Sequence, residues 1–224
     1  MKRFHKTMQS GMTLMEITVV LLILIALAGM VVPYVGGTGG AAMCKATDAT
    51  LQAVKQAIMG GKAGPGYYAD TLGYYPATDK DSSDYNLKYL FGRGSWDEYN
   101  PKTGVGWRGP YLMTGISLAD KTKLAANFSS DTYVHALADG DSIVMDGWGR
   151  PIILQVPTSC SISTNPTDCA RLVSAGPGTG IGLSDADIDT EIEDNERAEV
   201  RGDDRVLFLK IPDPYDKGNT SCQE

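Results

Sequence analysis

The chain has 224 residues, 42% of them hydrophobic and 21% charged, enough for one sizeable globular domain plus an accessory segment. Its formal net charge of −7 argues against a broad basic surface for duplex nucleic acid, so no nucleic-acid partner is expected. Cys160 and Cys169 lack a second Cys or His two to four residues away, which excludes the common zinc spacings.

The first eleven residues, MKRFHKTMQSG, carry Lys2, Arg3 and Lys6; without them the chain keeps 17 basic against 27 acidic residues. From Met12 to Val32 the sequence is apolar, and its only formal side-chain charge is Glu16. As a helix this run would be about 31 Å long, near one hydrocarbon thickness. The basic residues before it would keep the N-terminal side cytoplasmic and send the rest across. Three readings compete. One is a secretory signal peptide, for which Ala26-Leu27-Ala28 supplies a small-x-small cleavage site. Another is a plain transmembrane anchor. Neither accounts for Glu16, because a carboxylate in an apolar span costs about 2.5–3.5 kcal/mol on insertion scales. The third is a prepilin.

Gly11 followed by Met12-Thr13-Leu14-Met15-Glu16 resembles the processing signal of type IV pilins and type II secretion pseudopilins. The resemblance implies cleavage after Gly11 by a prepilin peptidase and methylation of the new amino group on Met12. It makes Glu16, fifth after the cut, the assembly residue, and Pro33 falls where many members have a helix-kinking proline. Met12 stands where phenylalanine is more usual. A carboxylate one turn from a new ammonium can neutralise it, on the same or a neighbouring subunit, and so favour docking in one register. The implied partners are the peptidase, other pilin-like subunits, an inner-membrane assembly platform and the membrane itself.

Pro33 and the run Gly36-Gly37-Thr38-Gly39-Gly40 predict a bent or melted stretch. Helix is expected again over Ala41–Met59, where Met43, Thr47, Leu51, Val54 and Ile58 share one face; Gly60 and Gly61 end it. That face suits packing on the domain's own sheet, with a partner-binding groove as the alternative. Residues 62–140 read as loop-rich and aromatic, with Tyr67, Tyr75, Trp96 and Trp107 among many rings. Such rings can stack sugars or bases, but without a basic lining they suit loop packing. Gly106-Trp107-Arg108-Gly109-Pro110-Tyr111-Leu112 resembles a segment of pseudopilin-like proteins, and Asp146-Gly147-Trp148-Gly149-Arg150-Pro151 resembles their Asp-Pro-Trp-Gly-x-Pro turn, with Gly147 in place of proline. Strands are expected over Ile152–Val156, Arg171–Ser174 and Arg205–Ile211.

Cys160 and Cys169 flank a polar loop, Ser161–Asp168, that a disulfide would staple in an oxidising compartment. Cys44 and Cys222 could form a second bridge, which their separation does not decide. Ser174-Ala-Gly-Pro-Gly178, leading to Asp185 and Asp187, resembles the calcium loop of the major pseudopilin of type II secretion. The resemblance supplies Asp185 and Asp187 as ligands, with Leu172, Ser174 and nearby carbonyls completing the shell. Gly178 replaces a common aspartate, and the alternative is a solvated acidic loop.

No catalytic residues are expected: His135 has no nearby nucleophile, and the glycine run Gly176–Gly182 lacks the spacing of a nucleotide loop. The expected fold is α+β and type IV pilin-like, a long N-terminal transmembrane helix packed on a small antiparallel sheet with large loops. The expected domains are a cleaved leader (1–11), an assembly helix broken near 33–40 (12–60) and a periplasmic domain (61–224). The expected location is the bacterial inner membrane, single-pass, with assembly into a filament. As function, this implies a structural subunit of a pseudopilin filament that helps export folded proteins. The alternatives are a pilus subunit for adhesion, motility or DNA uptake, and a membrane-tethered enzyme or binding protein.

Overall fold

The computed structural model describes residues 14–36, 38–62, 64–82, 84–119, 138–157, 160, 163–178 and 204–212. Two compact units divide between Gly40 and Ala41. The first contains helix α1, Leu14–Gly36, built from straight-chain and β-branched apolar residues with an acidic first turn at Glu16. Helix α2 runs from Thr38 to Met59.

Two expectations are corrected here. Among the described residues, no helix is long and apolar enough to cross a membrane, so neither the long N-terminal transmembrane helix nor the single-pass inner-membrane location holds. The bent or melted stretch expected over 33–40 is also not seen among the described residues, which are helical. Helix α1 continues through Pro33 to Gly36, and α2 already begins at Thr38. A proline removes one backbone donor, and the three glycines described as helical there, Gly36, Gly39 and Gly40, add about 1 kcal/mol each, which a helix flanked by good formers can absorb.

In the second unit, α2 buries Thr47, Leu51, Val54 and Ile58, the spacing of one helical face. Met43 departs from that face: it is 43% exposed, and Cys44 is buried in its stead. The buried face joins a core completed by Tyr67 and Tyr75, by Leu87 and Leu90, and by Ile152, Leu154, Leu172 and Leu209 from the sheet region. Burying each such side chain contributes about 1.5–3 kcal/mol.

The sheet has three antiparallel strands in the order β3–β4–β5: Ile153–Gln155, Arg171–Ser174 and Arg205–Phe208. Strand β4 is central and buried throughout, with Leu172 opposite Leu154 on one side and Leu207 on the other. One register up, Arg171 lies between Gln155 and Phe208. Its Nε donates to Gln155 Oε1 at 3.2 Å and its guanidinium sits 5.8 Å from the Phe208 ring centre, so a fully buried cation has both polar and aromatic support. Arg205 Nε donates to Asp48 Oδ1 at 3.1 Å, and Lys55 Nζ to the Phe208 carbonyl at 2.6 Å. These two bonds tie β5 to α2. A separate two-stranded ladder pairs β1, Ile116–Ser117, with β2, Ser142–Ile143. The short helix α3, Tyr67–Asp70, and a 3-10 turn at Leu87–Leu90 frame the aromatic loops.

Candidate assembly interface

The most unusual surface belongs to α1. Eleven of its large apolar residues between Leu14 and Leu27 are exposed, including Leu14 at 81%, Leu22 at 70% and Ile25 at 63%. Residues 19–25 are exposed without interruption, so the uncovered surface runs around the whole helix rather than along one stripe. Thr18, its one described hydroxyl in that stretch, donates back to the Met15 carbonyl at 2.9 Å, which leaves the helix surface almost without polar groups. A helix apolar on all sides is stable when enclosed by other apolar surface. Glu16 is the single carboxylate, in the first turn, where the helix dipole favours negative charge. Gly11 and Met12, the expected processing pair, lie outside the described residues.

The turn around Trp148 is built by Asp146. Its Oδ1 accepts from the backbone N–H groups of Trp148 (2.9 Å) and Arg150 (2.8 Å), while Oδ2 accepts from Ser174 Oγ at 2.6 Å. Ser174 Oγ also accepts from Gly176 N–H. Contacts with α2 account for a glycine at position 147. Gly147 N–H donates to Thr47 Oγ1 at 2.9 Å, and Thr47 Oγ1 donates to the Met43 carbonyl at 2.9 Å. A Cβ at 147 would fall 2.8 Å from the Met43 carbonyl carbon and closer still to its oxygen. The turn therefore seats directly on α2, where only glycine fits and where an N–H is needed.

Of the four expected calcium positions, Asp185 and Asp187 lie outside the described residues. Leu172 is buried in the middle of the sheet, and the Ser174 hydroxyl is engaged by Asp146 and Gly176. Among the described residues no group of three or more His, Cys, Asp or Glu could hold a metal ion.

The Trp107 segment closes on α3. Asp70, 2% exposed, receives a two-pronged ion pair from Arg108, through Nε (3.1 Å) and Nη2, and a hydrogen bond from the Tyr111 hydroxyl at 2.9 Å. The Arg108 guanidinium also lies 4.4 Å from the centre of the Tyr99 ring. The hydrogen bonds to Asp70 raise the Arg108 pKa. Burial, with the Asp70 contact assisting, pushes the Tyr111 hydroxyl up to about 12. The remaining rings pack mainly on one another: Tyr67 lies edge-on to Trp96 and Tyr111, with Trp96 Nε1 donating to Ala77 and Trp107 Nε1 to Tyr89 carbonyls. That is loop packing with satisfied polar tips.

Cys160 and Cys169 are disulfide-bonded, with Cα atoms 5.7 Å apart. Cys44 is buried and disulfide-bonded as well, while Cys222 lies outside the described residues. Asp70 with Arg108, Asp48 with Arg205, and Asp168 with Lys210 form ion pairs that no local motif marks. Their members are 38, 157 and 42 residues apart in the chain. In comparisons with known proteins, no family model, curated protein or solved structure matches this chain.

Proposed function

We propose that this chain is a structural subunit of a pilin-like filament of the type II secretion class, assembled by burying α1 among the α1 helices of neighbouring subunits. The observation that carries the proposal is the uncovered apolar surface around α1, interrupted by one carboxylate in its first turn. Eleven exposed large apolar side chains, each contributing about 1.5–3 kcal/mol on full burial, are ample to drive lateral association. Glu16 sets the register by pairing, within the assembled helices, with the ammonium freed by cleavage after Gly11. The secretion class rests on the resemblance of the Trp148 turn and of the Ser174–Gly178 segment to pseudopilins.

Cross-linking in cells tests the assembly. With Leu24→Cys, a bismaleimide is expected to give a ladder of copy-to-copy adducts. Monomer alone, at normal expression, overturns the proposal. Intact mass of the isolated protein reports the cut after Gly11 and the methyl group together. Glu16→Leu is expected to be processed normally and yet be excluded from co-assembly with the parent chain; equal incorporation contradicts the register role. Labelling of intact cells separates the two filament classes, since long surface fibres would place the subunit in a pilus.

A further inference from the structure

The connection between β3 and β4 is held at two levels. The disulfide closes it, joining Cys160 to Cys169 just ahead of β4. Within it, Asn165 caps the 3-10 turn Pro166–Cys169, its Oδ1 accepting from Thr167 N–H and Thr167 Oγ1, while Ser163 Oγ donates to Asp168 Oδ2 at 2.7 Å. That turn delivers two acceptors to the body of the domain. Asp168 Oδ1 accepts from Lys210 Nζ at 3.0 Å, and the Thr167 carbonyl accepts from the Tyr75 hydroxyl at 2.9 Å. The Lys210 ammonium in turn lies 4.9 Å from the Tyr68 ring centre and 5.8 Å from that of Tyr75. The covalent bond, the ion pair and the aromatic pair thus meet at one corner.

The two cysteines are unequally reachable. Cys169 is fully buried, and Cys160 is partly exposed. Thiol–disulfide exchange needs approach to the sulfur under attack, so access selects Cys160 as the electrophile and Cys169 as the leaving group.

We propose that the Cys160–Cys169 bond is a redox latch on this corner, opened from the Cys160 side by a dithiol reductant. One thiolate of the reductant bonds to Cys160 Sγ as the Cys160–Cys169 bond breaks. The electron pair leaves on Cys169 Sγ, which takes up a proton. The second thiolate of the reductant then attacks its own sulfur in the mixed disulfide, closing the reductant's disulfide and releasing Cys160, which is also protonated. Two electrons pass to the protein and the dithiol is oxidised. With the loop open, the 3-10 turn loses its anchor at Cys169, the residue next to Asp168. The acceptors for Lys210 and Tyr75 are then released together, and a polar Ser/Thr/Asn segment becomes a protease substrate. The latch makes the lifetime of the chain depend on the oxidising power of its surroundings.

The full chain tests this. Brief treatment with 2-mercaptoethanol and an acid quench is expected to leave the adduct on Cys160; an adduct predominantly on Cys169 overturns the proposal. Dithiothreitol followed by proteinase K is expected to raise cutting within residues 160–169 at least tenfold, and oxidised glutathione to reverse it. Unchanged protection of the reduced chain also overturns it. Because dithiothreitol opens the Cys44 bond too, the double variant Cys160→Ser/Cys169→Ser serves as the specific arm. It is expected to be cut in the same segment without reductant, and a protected double variant would assign the opening to Cys44 and refute the latch.

Discussion

Gly147 shows how one atom decides whether a turn seats on a helix. Replacing it by alanine puts a methyl group into the Met43 carbonyl, and replacing it by proline also removes the N–H that Thr47 accepts. Gly147→Pro is therefore expected to destabilise the domain by about 3 kcal/mol or more, with Gly147→Ala somewhat less, as read from urea midpoints. Thr47→Val keeps the shape and leaves the Gly147 N–H without its acceptor, for a loss of about 1–2 kcal/mol. At the other polar centre, Asp70→Asn weakens the Arg108 pairing at a buried site, with an expected loss of about 2 kcal/mol by the same assay. A loss below a few tenths would mean that Arg108, which is 41% exposed, is equally content in water. None of these contacts is legible locally: the glycine at 147 reads as a departure from a motif, and its reason is a carbonyl on a helix 104 positions earlier.

At the scale of elements, periodicity did most of the predictive work. The buried positions of α2, Cys44, Thr47, Leu51, Val54 and Ile58, follow a 3.6-residue period, and the three runs expected as strands contain β3, β4 and β5. Ile58, fully buried in the centre of the core, should cost about 3 kcal/mol on truncation to alanine, whereas exposed Met43→Ala should change stability by less than about 0.5 kcal/mol. The ladder of β1 and β2 could not be foreseen, because two residues per strand carry no alternation to detect. The stretch over 33–40 erred in the other direction. Local propensity favoured a wide break, but single penalties near 1 kcal/mol are too small to fix where a helix stops.

For the whole domain, pH is the most direct probe of how the aromatic core is closed. Burial pushes the Tyr67 and Tyr75 hydroxyls far above their ordinary value of 10.0, and Tyr111 to about 12. Raised pKa values mean that the folded state keeps these protons after the unfolded chain has lost them. Their contribution is complete below pH 10 and is lost as pH rises through the folded values, on the order of 1 kcal/mol per pH unit for each fully buried ring. Melting temperature is expected to be flat to about pH 9.5 and to fall steeply above it; Tyr75→Phe should blunt that fall. On the acid side the sign reverses. The Ser163 hydroxyl, and then Lys210, hold the Asp168 carboxyl below its ordinary value, so its share is present at neutral pH and is lost as pH drops through the depressed value. Burial works against the Lys210 ammonium, but bonds to Tyr68 and Asp168 raise its pKa on balance.

The order of strands also sets what happens to the chain when it is cut. The central strand β4 ends at Ser174, and its neighbour β5 begins only at Arg205, so the sheet is completed by a segment delivered late and from far along the chain. That segment is gripped by four ladder pairs, by Arg205 on Asp48, by Lys55 on the Phe208 carbonyl and by Lys210 on Asp168. A single nick between Gly178 and Asp204 should accordingly yield two polypeptides that travel as one particle. Expressed as separate pieces, they are expected to find each other and rebuild the domain, which turns this fold into a natural two-part complementation system.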